Sequence, residues 1–201
     1  MQENKNNFEI NQIDKQIKKK LNSISTANID IVEIARKWVN TPFHLQGRKI
    51  GAGCDCVGLV LGVADELKAV SRNNGERLAI FDENDYRIRK DSKKMLDAFD
   101  KHLVKTWQPE DPEKGKTTDE EKRRFSKSNN LQNLKEGIII GIHFGGQYYH
   151  SGIISEVEKQ EQESRIRIIH ACQKIGYVAE QVIPDPWLQR IVRVWRYALA
   201  T

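Results

Sequence analysis

The chain has 201 residues, and its thiol and imidazole chemistry rests on three cysteines and five histidines. Two of the cysteines stand in Cys54-Asp55-Cys56, after a glycine-rich approach through Gly47, Gly51 and Gly53. From Cys56 onward, Leu59, Val60, Val63, Ala64 and Leu67 recur at the spacing of one helical face, and Asp55 occupies the place of an N-cap. Cys56 therefore falls in the first turn of a helix whose later turns face a core. A thiol attacks as thiolate, and a free one has a pKa of about 8.5. The dipole at a helix N-terminus favours the anion by roughly 0.3–1 kcal/mol, and up to about 2 in favourable geometry. One pKa unit corresponds to about 1.36 kcal/mol, so the dipole supplies about a unit. A thiol largely ionised at neutral pH needs an imidazolium partner as well.

Two histidines suit that need. His150 lies in Tyr149-His150-Ser151-Gly152-Ile153-Ile154 and His170 in Ile168-Ile169-His170-Ala171-Cys172, both in β-rich runs. Strand side chains alternate faces, so on adjacent strands the two imidazoles can stand side by side. One then faces the thiol while the other orients it, which is the logic of nucleophile, base and orienter. Backbone amides at the Cys56 turn are the first donors to an oxyanion. Taken singly, each residue has a blander explanation. A cysteine on an apolar helix face is more often an inert small hydrophobe, and Cys54 and Cys172 read as packing residues. His44, His102 and His143 read as structural groups. A zinc site from Cys54, Cys56 and the histidines has weak support, because Cys-x-Cys is not a strong zinc spacing and no second pair recurs. No metal or other cofactor is expected.

The elements around these residues form an α+β pattern. Residues 1–28 are polar, with Ile10, Ile13, Ile17 and Leu21 in a narrow stripe, and read as an arm or short amphipathic helix. Asp30 and Glu33 have the form of a capping box. Ile31, Ile34, Ala35 and Trp38 then share one face, and Asn40-Thr41-Pro42 ends the helix. Met95, Leu96, Phe99, Leu103 and Val104 mark a further helix. A charged insertion at about 106–133 contains the surface loop 108–130. Five β-rich runs follow: 138–144, 148–157, 165–171, 177–183 and 190–197. Helices followed by consecutive strands predict a domain over 29–199 with helices packed on an antiparallel sheet. The formal net charge of +5 is mildly basic. It suits anionic surroundings such as nucleic acid or a cell-wall matrix without selecting one, so no specific nucleic-acid partner is expected. No stretch has the length of a signal peptide's apolar core or of a membrane span. The expectation is a product made in the cytoplasm, carried elsewhere by something other than its own signal.

The segment Trp38-Val39-Asn40-Thr41-Pro42-Phe43-His44-Leu45-Gln46-Gly47-Arg48, followed by Gly53-Cys54-Asp55-Cys56-Val57-Gly58-Leu59-Val60, resembles the NlpC/P-sixty family of cell-wall cysteine peptidases. His150-Ser151-Gly152-Ile153 and Ile169-His170-Ala171 match that family's two site strands in order. Trp187 and Trp195-Arg196-Tyr197 are similar to its branch associated with phage tails. The resemblance implies a papain-like fold and hydrolysis of an amide bond in the peptidoglycan stem peptide, between a D-glutamyl residue and a diamino acid. Cys56 would attack, His150 would carry the proton and His170 would orient His150. Asp55 and Gly53 would support the nucleophile turn, and Phe43 and His44 would line the substrate cleft. The implied setting is the cell wall, reached on a phage-like particle with tail proteins as partners, or after lysis. Three residues depart from the family pattern: Val57 replaces a common Ser, Phe43 a common Tyr, and Gly137-Ile138 the usual Gly-Asp. Two alternatives keep the same scaffold, namely a thiol acyltransferase or amidase and a non-catalytic component of a tail.

Overall fold

A computed structural model describes residues 31–78, 92–107, 134–146, 148–159 and 164–200. The N-terminal arm at 1–28, Asp30 and most of the charged insertion lie outside the described residues. A first helix, α1, covers 31–36 of the described chain, with Ile31, Ala35 and the following Trp38 buried as their spacing predicts. It ends sooner than the apolar face suggests. Lys37 and Trp38 donate to the carbonyls of Ile34 and Ala35 at 3.2 and 3.1 Å, the tightened i to i−3 pattern of a closing turn. Asn40 then takes a left-handed φ of 69°, a conformation its short polar side chain tolerates.

Two short strands, β1 (Arg48–Lys49) and β2 (Gly53–Cys54), form a hairpin that delivers the chain to α2 (Cys56–Glu66). After β3 (Ala69–Val70), the helix α3 (Ser92–His102) leads into β4 (Val104–Trp107). The helical stripe expected to run through Val104 stops at His102, and Val104 instead pairs with Arg196 at a sheet edge. The later strands are β5 (Ile139–His143), β6 (Tyr149–Lys159), β7 (Ser164–Cys172), β8 (Tyr177–Val182), β9 (Ile191–Arg196) and β10 (Ala198–Leu199). A one-turn helix, α4 (Asp185–Leu188), joins β8 to β9. β10 pairs with β3 in a separate two-stranded sheet.

The main sheet has six strands in the order β4-β9-β5-β6-β7-β8, every pairing antiparallel. This is the expected α+β architecture. Strand alternation gives the sheet two apolar faces. Ile139, Ile153, Ile169, Ala171 and Trp195 meet Leu59, Val60, Val63 and Ala64 of α2 on one side. Ile140, Ile142, Ile154, Ile168 and Val194 form a second core on the other, closed by Leu188 and Trp187 of α4. Among the described residues no helix is long and apolar enough to cross a membrane.

Candidate active site

Asp55 organises the start of α2. Its extended backbone ends the approach, and Oδ1 accepts the Gly58 amide at 2.8 Å. Oδ2 accepts the Gln46 amide at 2.7 Å, and Arg48 Nη1 reaches Oδ1 at 3.0 Å. The carboxylate is fully buried, a position it holds only because a cation and two amides satisfy it. Close backbone packing holds the turn in place. A Cβ added at Gly58 would lie 2.0 Å from the Gly47 carbonyl oxygen, and one at Gly53 2.7 Å from His44 Cβ. Gly53 and Asp55 thus hold the turn that presents Cys56. Phe43 and His44 run beside it: Phe43 bridges to Cys54, and the His44 amide donates to the Cys54 carbonyl at 3.0 Å. Phe43 packs partly buried against the core, and His44 is exposed.

The two histidines meet as the strand pattern predicts. β6 and β7 are neighbours, with Ile153 opposite Ile169, so His150 and His170 sit diagonally on one face across Gly152. His150 Nε2 lies 2.9 Å from His170 Nδ1, with both rings buried. Gly152 makes the approach possible, since a Cβ there would be 2.5 Å from Ile168 Cδ1 and 2.9 Å from His170 Cβ. Trp187 stands edge-on to the His170 ring at 5.5 Å and to the His150 ring at 6.5 Å. Phe144 lies 6.3 Å from His150. The hydrogen bond between the imidazoles is therefore screened from water by aromatic rings, which strengthens it.

Cys56 approaches β6 from the α2 side of the sheet. Its thiol is acted on by the amide and hydroxyl of Ser151 and by the Val57 amide. The Ser151 hydroxyl also donates to the Cys56 carbonyl at 3.3 Å. The Ser151 amide belongs to the peptide bond that joins it to His150. Backbone alternation nevertheless gives His150 the face of Ile142, its partner on β5, rather than the face of Ser151. Thiol and imidazole thus adjoin one strand end from its two sides. The sequence expected a side-by-side histidine pair of which one ring faced the thiol. The pair is present, but on the sheet face opposite α2, so neither ring faces the thiol: strand alternation gives Ser151, not His150, the side of Cys56.

Burial dominates the electrostatics. It pushes the Cys56 thiol up to about 12, with the Asp55 carboxylate adding in the same direction. It pulls His150 down to about 3, helped by the neighbouring His170, and His170 down to about 4. Burial thus favours a neutral thiol and neutral imidazoles at rest, against the thiolate and imidazolium expected from the sequence. Desolvation of a charge outweighs a dipole worth about one unit.

Cys54 is buried, its Sγ donating to the Asp55 carbonyl at 3.1 Å, and burial drives its thiol up as well. Cys172 ends β7. His102 pairs with the Ser71 hydroxyl at 2.9 Å, and His143 meets the Gly146 carbonyl at 3.0 Å. Both have the structural roles expected of them. Among the described residues no three His, Cys, Asp or Glu side chains group as metal ligands. Arg48, Ser151, Gln181 and Trp187 enter the site without having been singled out as site residues. Arg48, Ser151 and Trp187 lie in or beside the segments that carry the family resemblance, whereas Gln181 carried no signal in the sequence.

No family model matches the chain, and no curated protein does. Among solved structures it is similar to the crystal structure of an N-acetylmuramoyl-L-alanine amidase from Bacteroides uniformis ATCC 8492. The TM-score is 0.48 at 13% identity, over 86% of this chain and 99% of that one. A likeness that remote carries no argument about activity.

Proposed function

We propose that the protein is a papain-like cysteine peptidase of the NlpC/P-sixty kind that hydrolyses an amide bond of the peptidoglycan stem peptide. What supports this reading is the 2.9 Å bond from His150 Nε2 to His170 Nδ1, together with Cys56 at the capped start of α2, where its carbonyl accepts from Ser151, the residue after His150. His150 Nε2 is occupied by its partner, so Nδ1 is the atom left to serve the thiol. The His150 ring must reach the thiol round the end of β6; Cys56 Sγ then attacks the scissile carbonyl as its proton passes to His150 Nδ1. His150 then returns that proton to the leaving amine, and the acyl group remains on sulfur as a thioester. Water, deprotonated by His150, attacks the thioester; the adduct expels the Cys56 thiolate, which takes the proton back from His150, and the acid product leaves. His170 holds the ring and stabilises the transient imidazolium. The Cys56 amide, in the first turn of α2, faces the developing oxyanion. Because the resting pair is neutral, thiol and imidazole ionise together only when substrate arrives.

The bond proposed is that between D-glutamyl and a diamino acid, and the setting is the cell wall, reached on a phage-like particle or after lysis. Digestion of purified muropeptides, followed by the appearance of new amino termini, tests the activity. Cys56→Ala, His150→Ala and His170→Ala are each expected to lower the rate by about 10²-fold or more. Undiminished cleavage by Cys56→Ala would sink the proposal. One observation favours a second reading, a non-catalytic component of a tail: Cys56 is 5% exposed and neutral. Both readings share that resting thiol, so turnover of muropeptide, not alkylation at rest, separates them.

A further inference from the structure

The bond between the imidazoles can run in either direction, and only one direction leaves His150 able to act as a base. If His170 carries its proton on Nδ1, it donates to His150 Nε2. The His150 proton then sits on Nδ1, where it blocks transfer from the thiol. If His170 carries its proton on Nε2, its bare Nδ1 accepts from His150 Nε2–H, and His150 Nδ1 has a free lone pair. The choice is made at His170 Nε2. That atom is fully buried and has no hydrogen bond of good geometry among the described residues. In the β7–β8 register Ile168 faces Gln181 and His170 faces Ala179, so Gln181 shares the face of His170 one diagonal step away. Diagonal neighbours in a sheet are about 7–8 Å apart at the backbone, within reach of a glutamine. The Gln181 side chain acts on His170 as an acceptor would, raising its affinity for a proton. With Nδ1 occupied by His150, Nε2 is the His170 nitrogen open to the carboxamide.

We propose that Gln181 is a positioning residue whose carboxamide oxygen fixes the proton of His170 on Nε2 and thereby leaves His150 Nδ1 free to take the thiol proton. The hydrogen bond at one ring nitrogen commonly sets the tautomer of a working histidine in this way. The catalytic consequence rests on the peptidase reading above; the tautomer assignment does not.

Long-range proton–nitrogen NMR of the imidazoles tests it on the full chain. In the wild type, both His170 and His150 are expected to carry their protons on Nε2. Gln181→Met, of similar length but without an acceptor, is expected to move both protons to Nδ1. Gln181→Glu, which retains an acceptor oxygen, is expected to keep the wild-type tautomers. An unchanged amide spectrum serves as the folding control for each variant. Muropeptide cleavage should show kcat falling roughly 10- to 100-fold in Gln181→Met with KM little changed, and recovering in Gln181→Glu. A wild-type His170 protonated on Nδ1, or tautomers unmoved in a folded Gln181→Met, would overturn the assignment. If the tautomers respond as expected while the wild type cleaves no muropeptide, the peptidase reading fails and the assignment of Gln181 stands.

Discussion

At the scale of single residues, the places of Cys56, His150 and His170 and the meeting of the two rings were legible because each signal is local: a capped helix start and two histidines in alternating runs. Their supporting groups were not. Arg48, Ser151 and Gln181 are ordinary residue types, and they become site residues only through contacts that separations of several to about a hundred positions do not reveal. The charge state was also hidden, since it depends on how completely thiol and rings are desolvated. Gly152 lies between these levels. It is part of a short motif, but its physical reason is steric, because a methyl group there meets His170 Cβ and Ile168 Cδ1. Gly152→Ala is expected to push His170 away from His150 and to lower kcat by about 10²-fold, the cost of misplacing a catalytic group by about 1 Å. Steady-state kinetics with a melting curve check this, and a folded Gly152→Ala of full activity would show the His–His bond to be dispensable.

At the scale of elements, the five strand expectations match β5, β6, β7, β8 and β9 to within about two residues at each end. These strands alternate or run apolar between clear breaks, so their periodicity was visible. The two-residue strands β1, β2, β3 and β10 have no period to detect, and β4 follows α3 through Leu103 without a breaking residue. α2 began at Cys56 as expected, because Asp55 is a cap in fact as well as in pattern. Its glycines carry information that helix propensity misreads. Alanine in a helix interior is favoured over glycine by about 1 kcal/mol, which by itself predicts that Gly58→Ala stabilises. The Gly47 carbonyl lies 2.0 Å from where that methyl would go, and a backbone atom cannot yield cheaply. Overpacking of this kind costs about 1–3 kcal/mol. Gly58→Ala is therefore expected to lower stability, read as a lower urea midpoint with an unchanged slope.

At the scale of the whole molecule, folding holds two imidazoles neutral. Their folded values of about 3 and 4 lie below the ordinary 6.5, so between those limits the unfolded chain binds more protons than the native one. Stability is complete above about pH 6.5 and falls as the pH drops towards 4, by roughly 1 kcal/mol per pH unit for each ring. Urea unfolding at pH 7, 6 and 5 should show this slope, and His170→Gln should about halve it. The same burial that makes the fold acid-sensitive gives the proposed enzyme a dry site, in which proton transfer from Cys56 waits for substrate. The most direct test of that claim is to quench a reaction with soluble muropeptide in acid and weigh the peptide that contains Cys56. The account predicts the mass of a stem-peptide acyl group as a thioester on Cys56, together with loss of turnover in Cys56→Ala. Turnover that proceeds with no acyl group on Cys56, and persists in Cys56→Ala, would contradict it.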